Sequence, residues 1–170
     1  MAEAFNSKFL PEPKAARYAE LAEEIAAVLE GEANLTARMA TVAAMLAQGF
    51  QRFFWIGFYV VDLLEPGELV VGPYQGTLGC LRIRFGQGVC GTAAAERRTV
   101  IVPDVEAFPG HIACDSRSRS EIVVPVIGAG GRLTGVLDID STELDAFDDT
   151  DAEWLERILA QTFGDNASLS

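Results

Sequence analysis

The fold class this sequence predicts is α+β, a single domain with a central six-stranded, mostly antiparallel sheet flanked by N- and C-terminal helices. Three observations predict it: two alanine-rich stretches of helical periodicity open the chain, β-branched and aromatic runs fill its middle, and an acid-started amphipathic stretch closes it. At 170 residues with 49% hydrophobic content the chain can bury one good core, and nothing calls for a second. Residues 1–14 read as an N-terminal tail, 15–163 as the domain and 164–170 as a flexible C-terminal tail.

Each element follows from its own signals. Leu21, Ile25, Val28 and Leu29 share one face of a helix over 15–30, which Gly31 can stop. Leu35, Met39, Val42 and Leu46 do the same over 35–48, where Asn34 is the natural N-cap. After Gly49, strands are expected at 53–61, 68–74, 80–85, 99–102, 121–127 and 132–140. Glu65-Pro66-Gly67 and Gly128-Ala129-Gly130-Gly131 suit hairpins, 86–98 suits a short helix, and 103–120 is a long loop of the kind that usually carries function. Asp148, Asp149 and Asp151 start the last helix, with Trp154, Leu155, Ile158 and Leu159 on its inner face.

Charge and composition exclude several classes. A net charge of −12 repels phosphate backbones, and Arg117 and Arg119 are too small a basic cluster to reverse it, so no nucleic acid partner is expected. The first thirteen residues lack the features of a signal peptide, and no stretch is apolar enough to span a bilayer, so no membrane association is expected. Three cysteines, Cys80, Cys90 and Cys114, are a sparse, odd set that fits a reducing, cytoplasmic compartment and thiol chemistry rather than a disulfide scaffold.

Several residues are candidates for chemistry. The string GQGVCG from Gly86 matches a dinucleotide fingerprint but lacks the long crossover to a parallel strand that such a fold needs, so it reads as a glycine turn opening a short helix. The three cysteines and His111 are chemically a zinc set, but they lack paired knuckle spacing; no metal is expected, and His111 reads as a loop hydrogen-bonding residue. Singly, Cys80 and Cys90 suit small buried hydrophobes, whereas Cys114 lies in the long polar loop. Asp138 and Asp140, two apart on a strand, leave the same face, and Glu121 on the neighbouring strand can join them. In a pocket such carboxylates attract a cation or raise one carboxyl pKa; on a solvated edge they do neither. Trp55, Gly57 and Tyr59 also share a face, either as core or as an aromatic slot whose floor lets a ligand approach the backbone.

Taken in order, WIGFY, GPYQG, the cysteine spacing, FPGHIACDSRSRSEIVVP and GVLDIDS resemble the free methionine-(R)-sulfoxide reductases, enzymes built on a GAF-like domain, over about residues 34–160. The resemblance implies an oxidoreductase with Cys114 as nucleophile, Cys80 and Cys90 as resolving or recycling thiols, Glu121 in the acid chemistry, and substrate contacts from Glu121, Asp138, Asp140, Trp55 and Tyr59. It implies no metal or organic cofactor, a disulfide intermediate, and recycling by thioredoxin or a similar dithiol; it leaves a homodimer open. Thr77-Leu78-Gly79 departs from the Lys-Pro-Ala-like tripeptide usual before the first cysteine, which bears on the stiffness of the Cys80 loop. The rival from another class is a non-catalytic GAF sensor of small molecules; it would not need three thiols, and it usually carries an attached output domain that this sequence does not show.

Overall fold

The computed structural model describes residues 13–164; positions 1–12 of the N-terminal tail and 165–170 of the C-terminal tail lie outside the described residues. The elements run α1 (Lys14–Val28), α2 (Leu35–Gly49), β1 (Trp55–Val61), β2 (Glu68–Gln75), β3 (Arg82–Arg84), α3 (Gly88–Glu96), β4 (Val100–Val102), β5 (Ser120–Ile127), β6 (Leu133–Ser141) and α4 (Asp149–Phe163). The expected helices and strands are all present. The strand expected at 80–85 is shorter: Cys80 lies before it in a disulfide-bonded loop, and Leu81 keeps one tie to the sheet, its carbonyl accepting from Val71 N at 3.0 Å. The loop over 103–120 holds one 3₁₀ turn, Val105–Ala107.

The single sheet has the order β3-β2-β1-β6-β5-β4, with every paired neighbour antiparallel. β6 is therefore a central strand and not a solvated edge. β3 and β4 flank α3 in sequence yet lie at opposite edges of the sheet, so the glycine string between them serves no parallel crossover. Instead, Gly86 (φ 81°) and Gly88 (φ 62°) take left-handed turns that an L side chain resists, and these feed the chain into α3.

The sheet's two faces are covered differently, and this positions everything else. Period-two alternation sends Ile56, Phe58, Ile122, Val124, Leu137 and Ile139 to one face, where α1, α2 and α4 pack Leu21, Ile25, Met39, Val42, Leu46, Leu155 and Ile158 against them. Val28 and Leu35, expected on core faces, are exposed at the ends of their helices. Asn34 caps α2 by accepting from Ala37 N at 3.0 Å, and Asp148 and Asp151 form a reciprocal capping box at the start of α4. Asp151 is fully buried; it also accepts from Tyr18 Oη at 2.7 Å, Lys14 Nζ at 2.6 Å and Arg52 Nη2 at 2.6 Å, which fastens α4 to α1. The other face carries Trp55, Tyr59, Val123 and Val136 and is roofed by α3 and the loop after β4.

Candidate active site

Antiparallel register decides which polar side chains meet on the roofed face. Glu121 pairs with Asp140 and Asp140 with Trp55, so these three form one row across β5, β6 and β1. One step along, Val123, Asp138 and Gly57 form the next row, which continues to Tyr74 on β2. A cavity of about 510 Å³, counted out into its open mouth, lies over these rows. Its floor is Glu121, Asp138 and Asp140; Trp55 and Tyr59 wall one side, Cys90 of α3 another, and His111 and Cys114 reach in from the long loop.

Trp55 and Tyr59 hold their rings 5.8 Å apart, and Trp55 stacks on Tyr74 at 5.2 Å while its Nε1 donates to Thr77 O at 2.9 Å. Of the two uses its pattern allows, Gly57 serves core packing. A Cβ there would lie 2.3 Å from Tyr74 Cβ and 2.7 Å from Trp55 Cη2, so the missing side chain admits these rings rather than a ligand. Gly79 similarly leaves room for Trp55, whose Cζ2 would stand 2.9 Å from a Cβ at that position.

The three thiols divide. Cys80 and Cys114 are bonded, with Cα atoms 5.6 Å apart, so Cys80 is a bonded, half-buried residue and not the small buried hydrophobe its position suggests. Cys90 is free, 3% exposed, and donates its thiol hydrogen toward Asp138; burial first, then the Asp138 and Glu121 charges, push its pKa up. Cys114 is exposed at the cavity mouth. The residues beside the bonded pair are tied too, since Thr77 Oγ1 donates to Asp115 Oδ2 at 2.7 Å and Arg117 Nη2 to the same oxygen at 2.9 Å. The Arg117 hydrogen bonds hold the Asp115 carboxyl well below the usual range. Hydrogen bonds to both the side chain and the carbonyl of Thr77 thus brace the Cys80 loop.

The carboxylates are the electrostatic centre. Burial is the first cause of raised pKa values for Glu121, Asp138 and Asp140; Asp140 raises Glu121 further, Glu121 raises Asp138, and Asp138 raises Asp140. A hydrogen bond joins the Glu121 and Asp138 carboxyl groups, and Ser118 donates to Asp140. His111 Nε2 stands 3.3 Å from Glu121 Oε2, and desolvation lowers its pKa, which favours the neutral ring. Asp138 Oδ1 is buried with no hydrogen-bond partner. The cavity therefore holds spare protons and one unsatisfied acceptor.

A stability consequence follows by linkage. Raised folded-state pKa values mean that the native protein binds protons that the unfolded chain releases. Their contribution is fully present below the unfolded carboxyl pKa of about 4 and is lost as pH rises through the folded values. Asp138→Asn removes one of these groups, so it is expected to be more stable than the wild type on the alkaline side, by roughly 1–3 kcal/mol. Denaturant unfolding at several pH values checks this: the gap must widen with rising pH.

All the site residues named from the sequence, Trp55, Tyr59, Cys80, Cys90, Cys114, Glu121, Asp138 and Asp140, lie in or beside this one cavity. His111 stands beside a cavity carboxylate, Glu121, and no periodicity marks a lone loop histidine for that place. Ser118, Gln87 and Ile112 also line the cavity, and only the length of the loop pointed toward Ser118 and Ile112.

Comparison with known proteins bears on these features. The family model described as "GAF domain" matches residues 31–162. "GAF domain-containing protein A" of Dictyostelium discoideum is 51% identical over 86% of this chain and 90% of its own length. The "Free methionine-R-sulfoxide reductase" of Escherichia coli strain K12 is 44% identical over 85% of each chain. Among solved structures, free methionine-R-sulfoxide reductase from Neisseria meningitidis, in complex with its substrate, superposes with TM-score 0.85 at 48% identity, covering 94% of this chain and 92% of that one. With that span matched at these identities around one cavity of thiols and carboxylates, the chain belongs to the GAF-domain family that includes the free methionine-R-sulfoxide reductases.

Proposed function

We propose that this protein reduces free L-methionine (R)-S-oxide to methionine, with Cys114 as nucleophile and Cys80 as the thiol that resolves it. The observation that carries this reading is the placing of Cys114, but not Cys80, on the cavity over two buried carboxyl groups, Glu121 and Asp138, and the half-buried Asp140. The names of the relatives and the substrate complex of the Neisseria protein support the choice of substrate.

The Cys114 thiolate attacks the sulfoxide sulfur, and a proton from the Glu121–Asp138 pair reaches the oxygen. The attack forms a sulfur–sulfur bond; the protonated oxygen then passes from the methionine sulfur to the Cys114 sulfur as that bond breaks and its electron pair returns to the methionine sulfur, leaving methionine and a sulfenic acid on Cys114. Cys80 then attacks the sulfenic sulfur, expels water and forms the disulfide, and an external dithiol such as thioredoxin takes that disulfide in exchange. Trp55 and Tyr59 enclose the methyl sulfoxide end, and the ammonium finds the unpartnered Asp138 Oδ1 and the Asp140 carboxylate. Intact-mass measurement after one turnover tests this: methionine must form and the protein must lose two hydrogens. Binding of the sulfoxide with neither change would leave a sensor.

The proton source predicts a pH profile. A carboxyl pair with raised pKa values keeps its proton on the acid side and loses it as pH rises, so the single-turnover rate should fall on the alkaline limb by up to about tenfold per pH unit. The thiolate requirement bends the profile the other way at low pH. Glu121→Gln is expected to lower the rate and flatten the alkaline limb; an unchanged limb in rapid-quench measurements would assign the proton to another group.

A further inference from the structure

The same cavity contains a donor set that the reductase chemistry does not require. Cys90 Sγ, a Glu121 oxygen and an Asp138 oxygen all lie within 4.8 Å of one another, and all three residues are buried. Asp138, 6% exposed, keeps Oδ1 without a hydrogen-bond partner. His111 Nε2, 3.3 Å from Glu121 Oε2, is a fourth donor on the loop side, and neutral imidazole is its metal-binding form. Donors around a tetrahedral zinc stand about 3.3–3.8 Å apart, given bond lengths of about 2.0–2.3 Å, so the first three need to contract by at most about 1.5 Å.

We propose that Cys90, Glu121 and Asp138, with His111 closing the fourth position, bind a thiophilic divalent cation of the zinc class. A cation there takes up the acceptor that the substrate ammonium would use, so on the substrate reading given above it also excludes methionine sulfoxide. This is a regulatory site and differs from a structural zinc centre, since two of the three cysteines remain free to cycle. Sulfur in the set and the small number of donors disfavour magnesium and calcium, which take more oxygen ligands and, for magnesium, lose water reluctantly. Binding exchanges protons for metal. A thiol ligates as the thiolate, so at least one proton leaves per cation and affinity rises with pH.

The full-length chain in its Cys80–Cys114 disulfide state isolates the site, because Cys90 is then the one free thiol among its three cysteines. Titrating it with Cd²⁺ should give a sulfur-to-metal charge-transfer band that saturates at one equivalent, with proton release, and Zn²⁺ should displace the Cd²⁺. Cys90→Ser should lose the band, whereas Asp138→Asn and Glu121→Gln should keep it with affinity lowered roughly tenfold to a hundredfold. Absence of the band in the wild-type protein overturns the proposal, as does a band with unchanged affinity in both carboxylate variants or the absence of proton release. The last reading needs no variant, so it stands even if a substitution fails to fold. Free methionine sulfoxide should weaken Cd²⁺ binding. If it does not, the overlap with the substrate site is overturned while the cation site stands; if Cd²⁺ fails to bind yet the reductase turns over, the cation site and the overlap both fall while the reductase reading stands.

Discussion

Replacing Cys114 with serine is expected to lower single-turnover methionine formation by about three orders of magnitude or more, the scale on which removing a covalent nucleophile acts. Cys80→Ser should instead release one methionine per chain at close to the normal rate and then stall, leaving a sulfenic acid that a dimedone-type reagent captures. The geometry distinguishes the two: Cys114 lines the cavity, while Cys80 sits behind it, bonded to Cys114 from the β2–β3 loop. The resemblance gave Cys90 a share in recycling. Its thiol is nearly fully buried with a raised pKa, both of which oppose attack on a sulfenic acid. Cys90→Ser is accordingly expected to form the Cys80–Cys114 disulfide normally. Rapid quench with mass analysis of all three variants checks the assignments, and full single-turnover activity in Cys114→Ser would overturn them.

The second large effect concerns the substrate amine. Free methionine-(R)-sulfoxide should exceed its N-acetyl derivative by on the order of a thousandfold in kcat/KM. An amide nitrogen carries no charge and leaves the Asp138 and Asp140 oxygens unpaired, at a cost of about 3–5 kcal/mol. Burial sharpens the discrimination, since Asp138 is 6% exposed and solvent cannot replace a missing ammonium. Asp138→Asn and Asp140→Asn should each lower turnover and narrow the ratio. Equal kcat/KM for the two substrates in steady-state assays would show that these carboxylates do not read the amine.

Much of this arrangement was legible in the strands themselves. Asp138 and Asp140 share a face because of the period-two pleat, and a hairpin between β5 and β6 brings Glu121 beside them, so the acidic cluster required only local information. What local pattern did not carry was sheet order. β1 lies beside β6, some eighty residues away in sequence, and that pairing sets Trp55 against Asp140 and Gly57 against Asp138. The two readings of Gly57 stayed open for this reason: its Cβ position is taken in part by a side chain from β2, a neighbour that no periodicity names. Likewise, the spacing of the three cysteines is silent on which two bond, because the closing of two loops decides it. His111 escaped through the same gap, lying on a loop without a repeat to betray its direction.

The Cys80–Cys114 bond spans 34 residues, and those residues contain β3, α3 and β4. Closing a loop of that length withdraws about 4 kcal/mol of disorder from the unfolded chain on the chain-entropy model. For a domain of this size that corresponds to a melting point higher by roughly 8–16 °C. The catalyst would thus be at its hardiest while spent and at its most perishable while ready to act. Differential scanning calorimetry of the oxidised and reduced protein should show the separation. A cell short of reductant would then accumulate a durable, inactive reserve that resists heat and proteases and returns to service when reducing power does.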